Sequence, residues 1–161
     1  HPGTWLLTTA VAGNARFRKT AGVSFSSNAK SFEYIFIVKL AQITNIRAGF
    51  GGNNSTSIYG NFNNFVFDDA VSGNWYFAGA STGYAATTGW VFLRAWRYAT
   101  SGNVNYEIRA SENGTVLASG NVADIATTTA ADFGMIINSP AGQTSGCYID
   151  FAALWMEGYT R

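Results

Sequence analysis

Apolar and polar residues alternate along most of this chain. Between Phe32 and Leu40 every second residue is large and apolar, and the segments 104–110 and 148–156 repeat the pattern. A period of two places successive side chains on opposite faces of a β-strand. Clusters rich in Gly, Asn and Ser, such as 51–57 and 101–103, separate these segments and are typical of turns. The pattern predicts about eleven to thirteen short strands.

Helical periodicity is weak throughout the sequence. The best candidate is the segment 122–132, where the β-branched run Thr127–Thr129 argues against a helix. Many short antiparallel strands at regular spacing predict an all-β fold without a substantial helix. We therefore expect a two-sheet antiparallel β-sandwich, or jelly roll, that forms a single domain over residues 1–161.

One hairpin can be predicted in register. The first strand, 91–98, directs Val91 and its alternate residues to the core, and a four-residue loop joins it to the second strand, 103–110. This loop length pairs Trp96 with Asn105 and Arg94 with Glu107, so that buried residues meet buried ones. The face of the hairpin opposite the core then carries aromatic, amide and charged side chains. It is either an ordinary solvated sheet face or a platform for a ligand.

Charge is sparse and balanced. The 161 residues include 10 basic and 9 acidic side chains, and only 12% of the chain is charged, whereas 16% is aromatic. Nucleic-acid binding needs a concentrated basic surface, which this chain lacks, and no apolar run approaches the ~20 residues of a membrane span. We expect neither nucleic-acid nor membrane partners. The chain begins without Met, as a processed product or a piece of a longer protein does.

Histidine and cysteine occur once each, as His1 and Cys147. A disulfide framework and a cysteine-based zinc site are therefore excluded, and a catalytic histidine would have to be the terminal residue. Cys147 lies in an apolar run and is predicted to be a core residue.

Calcium is the remaining candidate for a cofactor, because hard cations take six to eight oxygen ligands. The best local supply is a group of carboxylate and amide side chains that are near each other in sequence: Asp68, Asp69, Asn61, Asn63 and Asn64. No Asp-x-Asn-x-Asp loop occurs there, and adjacent Asp residues often begin a turn. We predict no metal and no other cofactor.

Several segments, in the same order and over essentially the whole chain, resemble concanavalin A-like lectin/glucanase jelly-roll domains of bacteriophage tail-fibre and virion proteins. The segments are His1–Trp5, Phe32–Val38, Ile46–Phe50, Ser57–Tyr59, Gly73–Trp75, Gly89–Arg94 and Tyr148–Trp155. The resemblance implies the jelly-roll fold and a place on the virion surface, outside the cell.

Enzymes of the resembled family carry patterns that this chain lacks. Its retaining glucanases have Glu-x-Asp-x-x-Glu, or a version one residue shorter, on one strand. None of the four glutamates here, Glu33, Glu107, Glu112 and Glu157, lies in such a pattern. Alginate lyases of the family need a histidine where this chain has Thr44. We therefore expect no catalytic residues and predict that the chain is not an enzyme.

The resulting hypothesis is a non-catalytic virion module, of a tail fibre or a capsid decoration, that binds host-surface glycans. Aromatic rings stack on sugar C–H faces, while amide and charged groups meet the hydroxyls. The predicted ligand-binding residues are Tyr59, Asn61, Tyr76, Arg94, Trp96, Tyr98, Asn105 and Glu107. Two alternatives for the function stay open: a polysaccharide-cleaving enzyme of the same fold, and a purely structural oligomerising fibre or decoration domain. The alternative for the predicted site is that this face packs against the second sheet or a neighbouring subunit.

Two further expectations concern packing. Trp90 and Trp155 are predicted to be core residues from their positions in apolar strands. One hairpin face does not readily bury three aromatic side chains as close together as Phe62, Phe65 and Phe67. An exposed apolar patch of this kind is typical of an interface. We therefore expect a homo-oligomer that contacts other virion subunits, with a trimer slightly favoured by analogy to fibres.

Overall fold

The computed structural model describes residues 3–11, 13–23, 31–53, 63–98, 101–124, 131–139 and 143–157. Its regular elements are twelve β-strands: β1 (Trp5–Thr8), β2 (Asn14–Val23), β3 (Phe32–Leu40), β4 (Arg47–Asn53), β5 (Asn64–Asp68), β6 (Asn74–Phe77), β7 (Ala80–Ala85), β8 (Trp90–Arg97), β9 (Asn103–Arg109), β10 (Val116–Ala123), β11 (Ala131–Asn138) and β12 (Gly146–Met156). Among these residues no helix is long and apolar enough to cross a membrane.

The strands form two antiparallel sheets of six strands each. Sheet 1 has the order β1-β12-β3-β8-β9-β10, and sheet 2 has the order β2-β11-β4-β5-β6-β7. Five of the ten neighbouring strand pairs, among them β3 with β8 and β4 with β11, are distant in sequence, as in Greek-key and jelly-roll sandwiches. The predicted all-β, two-sheet antiparallel sandwich is confirmed.

Aromatic side chains fill the space between the sheets. Phe36 of sheet 1 meets Phe50 of sheet 2 at 5.7 Å between ring centroids, and Phe77 stacks on Tyr106 at 4.8 Å. Trp75 has no exposed surface. Fully burying one such side chain stabilises the fold by about 1.5–3 kcal/mol. These rings are therefore the main source of cohesion between the two sheets.

Two expectations about exposure are wrong. Phe65 and Phe67 are fully buried core residues, because they occupy the inward phase of β5. Phe62 lies outside the described residues, so the predicted aromatic patch loses its basis. Trp90 is not a core residue either: it pairs with Lys39 on the outer face of sheet 1 and is only half-buried, while its neighbour Val91 points inward.

A β-bulge in the last strand reverses the side-chain phase there. Ile149 pairs with Val38 and Phe151 pairs with Ile37, so Asp150 is the extra residue of the bulge. Beyond the bulge the odd-numbered residues face outward instead of inward. Trp155 is consequently 57% exposed, and the prediction that it lies in the core is wrong.

A hydrogen-bond network around a buried ion pair of sheet 1 joins the two sheets at one end of the sandwich. Arg97 at the end of β8 points inward and pairs with Asp124, and both side chains are almost fully buried. Asn63, which precedes β5 of sheet 2, donates from Nδ2 to Oδ1 of Asp124 at 2.5 Å. The hydroxyl of Tyr34 donates to the carbonyl of Asn63 at 2.6 Å. Buried charges are tolerated only with such partners, so this network fixes the relative position of the sheets.

Substitution of two tryptophans separates core from surface. Trp75→Ala should destabilise the protein by about 3–5 kcal/mol, because it leaves a cavity among the core rings. Trp155→Ala removes the same side chain from an exposed position and should cost less than about 1 kcal/mol. Urea denaturation of both variants measures the difference. Equal losses of unfolding free energy would show that β12 lacks the bulge and buries Trp155.

Candidate functional site

The outer face of sheet 1 carries two tryptophans in one row across the strands. Trp155 of β12 pairs with Glu33 of β3, Glu33 pairs with Trp96 of β8, and Trp96 pairs with Asn105 of β9. Directly paired residues project from the same face of a sheet. The two tryptophans therefore lie two strand spacings apart, about 10 Å between their Cα atoms. We call this surface, with the neighbouring Arg94 and Glu107, the tryptophan face.

An array of alternating charges crosses three strands of this face. Arg94 donates from Nε to Glu33 Oε1 at 2.7 Å and from a terminal nitrogen to Glu107 Oε1 at 3.2 Å. Arg109 donates to the other oxygen of Glu107 at 2.9 Å. The guanidinium of Arg94 also lies over the ring of Trp96, 4.6 Å from its centroid. These contacts hold Arg94 and Trp96 in one conformation. Because the two side chains are already ordered, binding of a ligand costs less conformational entropy.

Both central groups of the array are held in their charged forms. Partial burial alone would raise the pKa of Glu107, but hydrogen bonds from Arg109 and Arg94 outweigh it and hold that pKa below its ordinary value. Burial alone would lower the pKa of Arg94, yet its hydrogen bonds to Glu33 and Glu107 raise it. A glycosidase acid needs a raised carboxyl pKa, so Glu107 does not have the ionisation behaviour of a general acid.

The structure brings together half of the predicted site residues. Arg94, Trp96, Asn105 and Glu107 share the tryptophan face in the predicted register, with Arg94 opposite Glu107 and Trp96 opposite Asn105. Tyr98 lies beyond the end of β8 and is exposed.

Of the remaining predicted residues, Tyr76 does not join this site. Tyr76 belongs to sheet 2, where its hydroxyl donates to Ser72 Oγ at 3.0 Å and its ring packs on Val66. It is therefore on the opposite side of the sandwich from Trp96. Tyr59 and Asn61 lie outside the described residues.

This surface also includes three residues that the sequence pattern did not indicate: Glu33, Arg109 and Trp155. Glu33 and Arg109 are in the outward phase of their strands and could have been found by placing β3 beside β8. The outward position of Trp155 can be predicted only if the bulge at Asp150 is known. The local signal for that bulge is an acidic residue within an apolar run.

The two carboxylates considered as calcium ligands accept hydrogen bonds from nearby residues of the protein. Asp68 Oδ1 accepts hydrogen bonds from Arg47 Nε at 3.2 Å and from the Ala70 amide at 3.0 Å. The carboxylate of Asp69 accepts from the amides of Asn45 and Ile46. Within the described part of the chain, no group of three or more His, Cys, Asp or Glu side chains could hold a metal ion.

No family model and no curated protein matches this sequence. Solved structures match over nearly its whole length. Lectin I-B4 from Griffonia simplicifolia, in its metal-free form, is 12% identical with a TM-score of 0.64 and covers 98% of this chain and 89% of the lectin. A GH131 β-glucanase catalytic domain from Podospora anserina is 14% identical with a TM-score of 0.58 and covers 98% of this chain and 72% of that one. A sialidase is 11% identical with a TM-score of 0.63, and the match covers 96% of this chain but 15% of the sialidase.

These neighbours show that the chain has the concanavalin A-like sandwich fold of lectins and glucanases, as the sequence resemblance implied. They also overturn one expectation. The prediction that the chain is not an enzyme is wrong, because a glucanase catalytic domain and part of a sialidase share the fold with lectins. The absence of known glutamate patterns therefore does not exclude catalysis, and function has to be argued from the site.

The charge array makes stability depend on pH. The pKa of Glu107 is lower in the folded protein than its ordinary value of 4.5, so its ion pairs stabilise the fold fully above that value. This contribution is lost as the pH falls through the lowered pKa. At pH 7, Glu107→Gln should cost about 1–3 kcal/mol, because two arginines lose a charged acceptor.

Urea denaturation between pH 7 and pH 3 measures this effect, and the difference between wild type and Glu107→Gln should shrink on acidification. Glu112→Gln, at an exposed turn, is the control and should change stability by less than about 0.5 kcal/mol. A difference that stays constant over the whole range would contradict the assigned ion pairs.

Proposed function

We propose that the tryptophan face binds a glycan, with sugar rings stacked on Trp155 and Trp96. The observation that carries the proposal is the placement of two tryptophans in one row on either side of Glu33, one of them 57% exposed. Indole rings offer flat apolar surfaces to the C–H faces of sugars.

Polar groups beside the rings supply the hydrogen bonds that a sugar needs. Glu33 offers carboxylate oxygens between the two tryptophans, and Asn105 offers both an amide donor and an acceptor next to Trp96. Arg94 adds a donor that is already held in place by two carboxylates. A row of apolar rings with hydroxyl-binding groups between them suits an extended saccharide that lies across the strands.

The setting that we propose for this activity is a virus particle, where the module binds a glycan of the host surface and contacts other virion subunits as a homo-oligomer, with a trimer favoured. The support for this setting is the sequence resemblance to virion jelly-roll domains, together with the low content of charge, which leaves little repulsion between copies. Light scattering at high micromolar concentration should give a mass of about three chains. A monomer mass would contradict the oligomer.

Cleavage of a polysaccharide is a second candidate function, favoured by the shared fold of the glucanase catalytic domain and by two carboxylates, Glu33 and Glu107, on one face. Incubation with a panel of polysaccharides distinguishes it from binding alone. Release of reducing ends or of unsaturated products, abolished by Glu33→Gln, would establish cleavage.

Removal of either tryptophan tests the proposed binding. Trp155→Ala and Trp96→Ala should each weaken the binding of a polysaccharide selected from a glycan array by about tenfold or more, which corresponds to a loss of at least ~1.4 kcal/mol of stacking energy. Isothermal calorimetry measures the affinity, and circular dichroism checks the fold.

Val71→Ala changes an apolar residue that is exposed at a distant turn, and it should leave the affinity unchanged. Native affinity in both tryptophan variants would contradict the proposal. If Trp96→Ala unfolds the protein, Trp155→Ala decides the outcome, because Trp155 is exposed and its removal leaves the core intact.

A further inference from the structure

Sheet 1 carries a second row of two rings and a charge, at the far end of the three strands that form the tryptophan face. Trp90 of β8 pairs with Lys39 of β3, and Lys39 pairs with Tyr148 of β12, all on the outer face. Trp90 and Tyr148 are two strand spacings apart, about 10 Å between their Cα atoms. Both rings are half-buried, so part of each meets solvent. We call these three side chains the Lys39 row.

The Lys39 row and the tryptophan face belong to one continuous surface. Glu33 and Lys39 project from the same face of β3, about 20 Å apart along the strand. Ile35 and Ile37 lie between them on that face, and Phe151, which pairs with Ile37, is 47% exposed. Two parallel segments of a glycan can therefore occupy both rows at once. Contact at two linked sites raises the overall affinity above that of either site alone.

Lys39 brings a positive charge to this end of the surface, and no ion pair of the described residues includes it. The segments around the row, 5–9, 36–46, 86–92, 109–116 and 143–149, are all described, and their one acidic residue is Glu112. Glu112 lies in the turn after β9, two strands away from β3. By contrast, Arg94 and Arg109 of the same face are each paired with Glu107.

The ammonium of Lys39 keeps donors for a bound molecule. Its Nζ lies over the ring of Tyr148, 5.6 Å from the centroid. An ammonium has three N–H donors, and the aromatic ring approaches it from one side only. The tryptophan face differs in this respect, because Glu33 and Asn105 offer acceptors that suit the hydroxyl groups of a neutral sugar.

We propose, on the basis of the proposed glycan binding, that the Lys39 row binds sugar units that carry a carboxylate or a sulfate group, so that the glycan is an acidic one. A lysine side chain only donates hydrogen bonds, and an ionised carboxylate or sulfate only accepts them. A hydrogen bond between such charged groups is roughly twice as strong as one between neutral groups. Trp90 and Tyr148 supply rings on either side, against which the C–H faces of the sugar pack.

A glycan array that carries uronate-bearing, sulfated and neutral glycans tests this class. The strongest ligands of the wild-type protein should be acidic, and the class that binds distinguishes a carboxylate from a sulfate ester. Strongest binding to neutral glycans would overturn the inference and leave the glycan proposal standing. Absence of binding to every glycan would overturn both.

Calorimetry with the strongest acidic glycan and its neutral form, made by carboxyl reduction or desulfation, assigns the acidic group to Lys39. Wild type should bind the acidic form at least tenfold more tightly than the neutral form. Lys39→Gln should bind both forms alike, and Lys39→Arg, which keeps the charge, should retain most of the preference. Trp96→Ala should weaken both forms by the same factor, because that ring contacts the sugar and not its acidic group.

Arg16→Gln is the matched control. It removes one positive charge from an exposed position on the outer face of sheet 2, where Arg16 pairs with Ile136, and it should keep the wild-type preference. An equal loss in Arg16→Gln and Lys39→Gln would overturn the inference, because net charge alone would then account for the preference. Native affinity of Lys39→Gln for the acidic glycan would overturn it as well, because the lysine would then only cover the ring of Tyr148.

Discussion

One extra residue in the last strand decides which side chains of β12 meet solvent. The strand is anchored before the bulge by Ile149, which faces the core, and the ladder with β3 resumes at Phe151. Because the pleat alternates strictly, insertion of Asp150 sends Leu154 toward the core and Trp155 to the surface. Without the bulge, Trp155 would compete for space with the rings between the sheets. The exposure of the second tryptophan of the tryptophan face depends on this single irregularity.

The sequence predicts a strand's orientation well only where one phase is apolar and the other is polar. In β8 and β9 the two phases differ clearly, and the predicted pairing of Arg94 with Glu107 is confirmed. In β12 both phases are largely apolar after Asp150, so periodicity alone cannot show that the register shifts. Sheet membership is also not encoded locally. Tyr76 points outward from its strand, as predicted for a site residue, but that strand belongs to the other sheet.

The fold itself leaves function undecided, because lectins and catalytic domains both share it. The side chains of the tryptophan face favour one of these two functions. Arg94 binds two carboxylates and stacks on Trp96, which makes the middle of the tryptophan face rigid and almost neutral in charge. A rigid aromatic surface favours the weak, additive contacts that bind saccharides, since few side chains lose freedom on association. Trp155 and Glu33 extend this surface across the strands.

The most direct test of the glycan proposal uses the indole N–H resonances of the five tryptophans in an NMR titration with an oligosaccharide selected from a glycan array. Trp75 is fully buried and serves as the internal reference. We expect the resonances of Trp96 and Trp155 to shift together along one saturation curve while that of Trp75 stays in place. Saturable binding that leaves both resonances unmoved would contradict it.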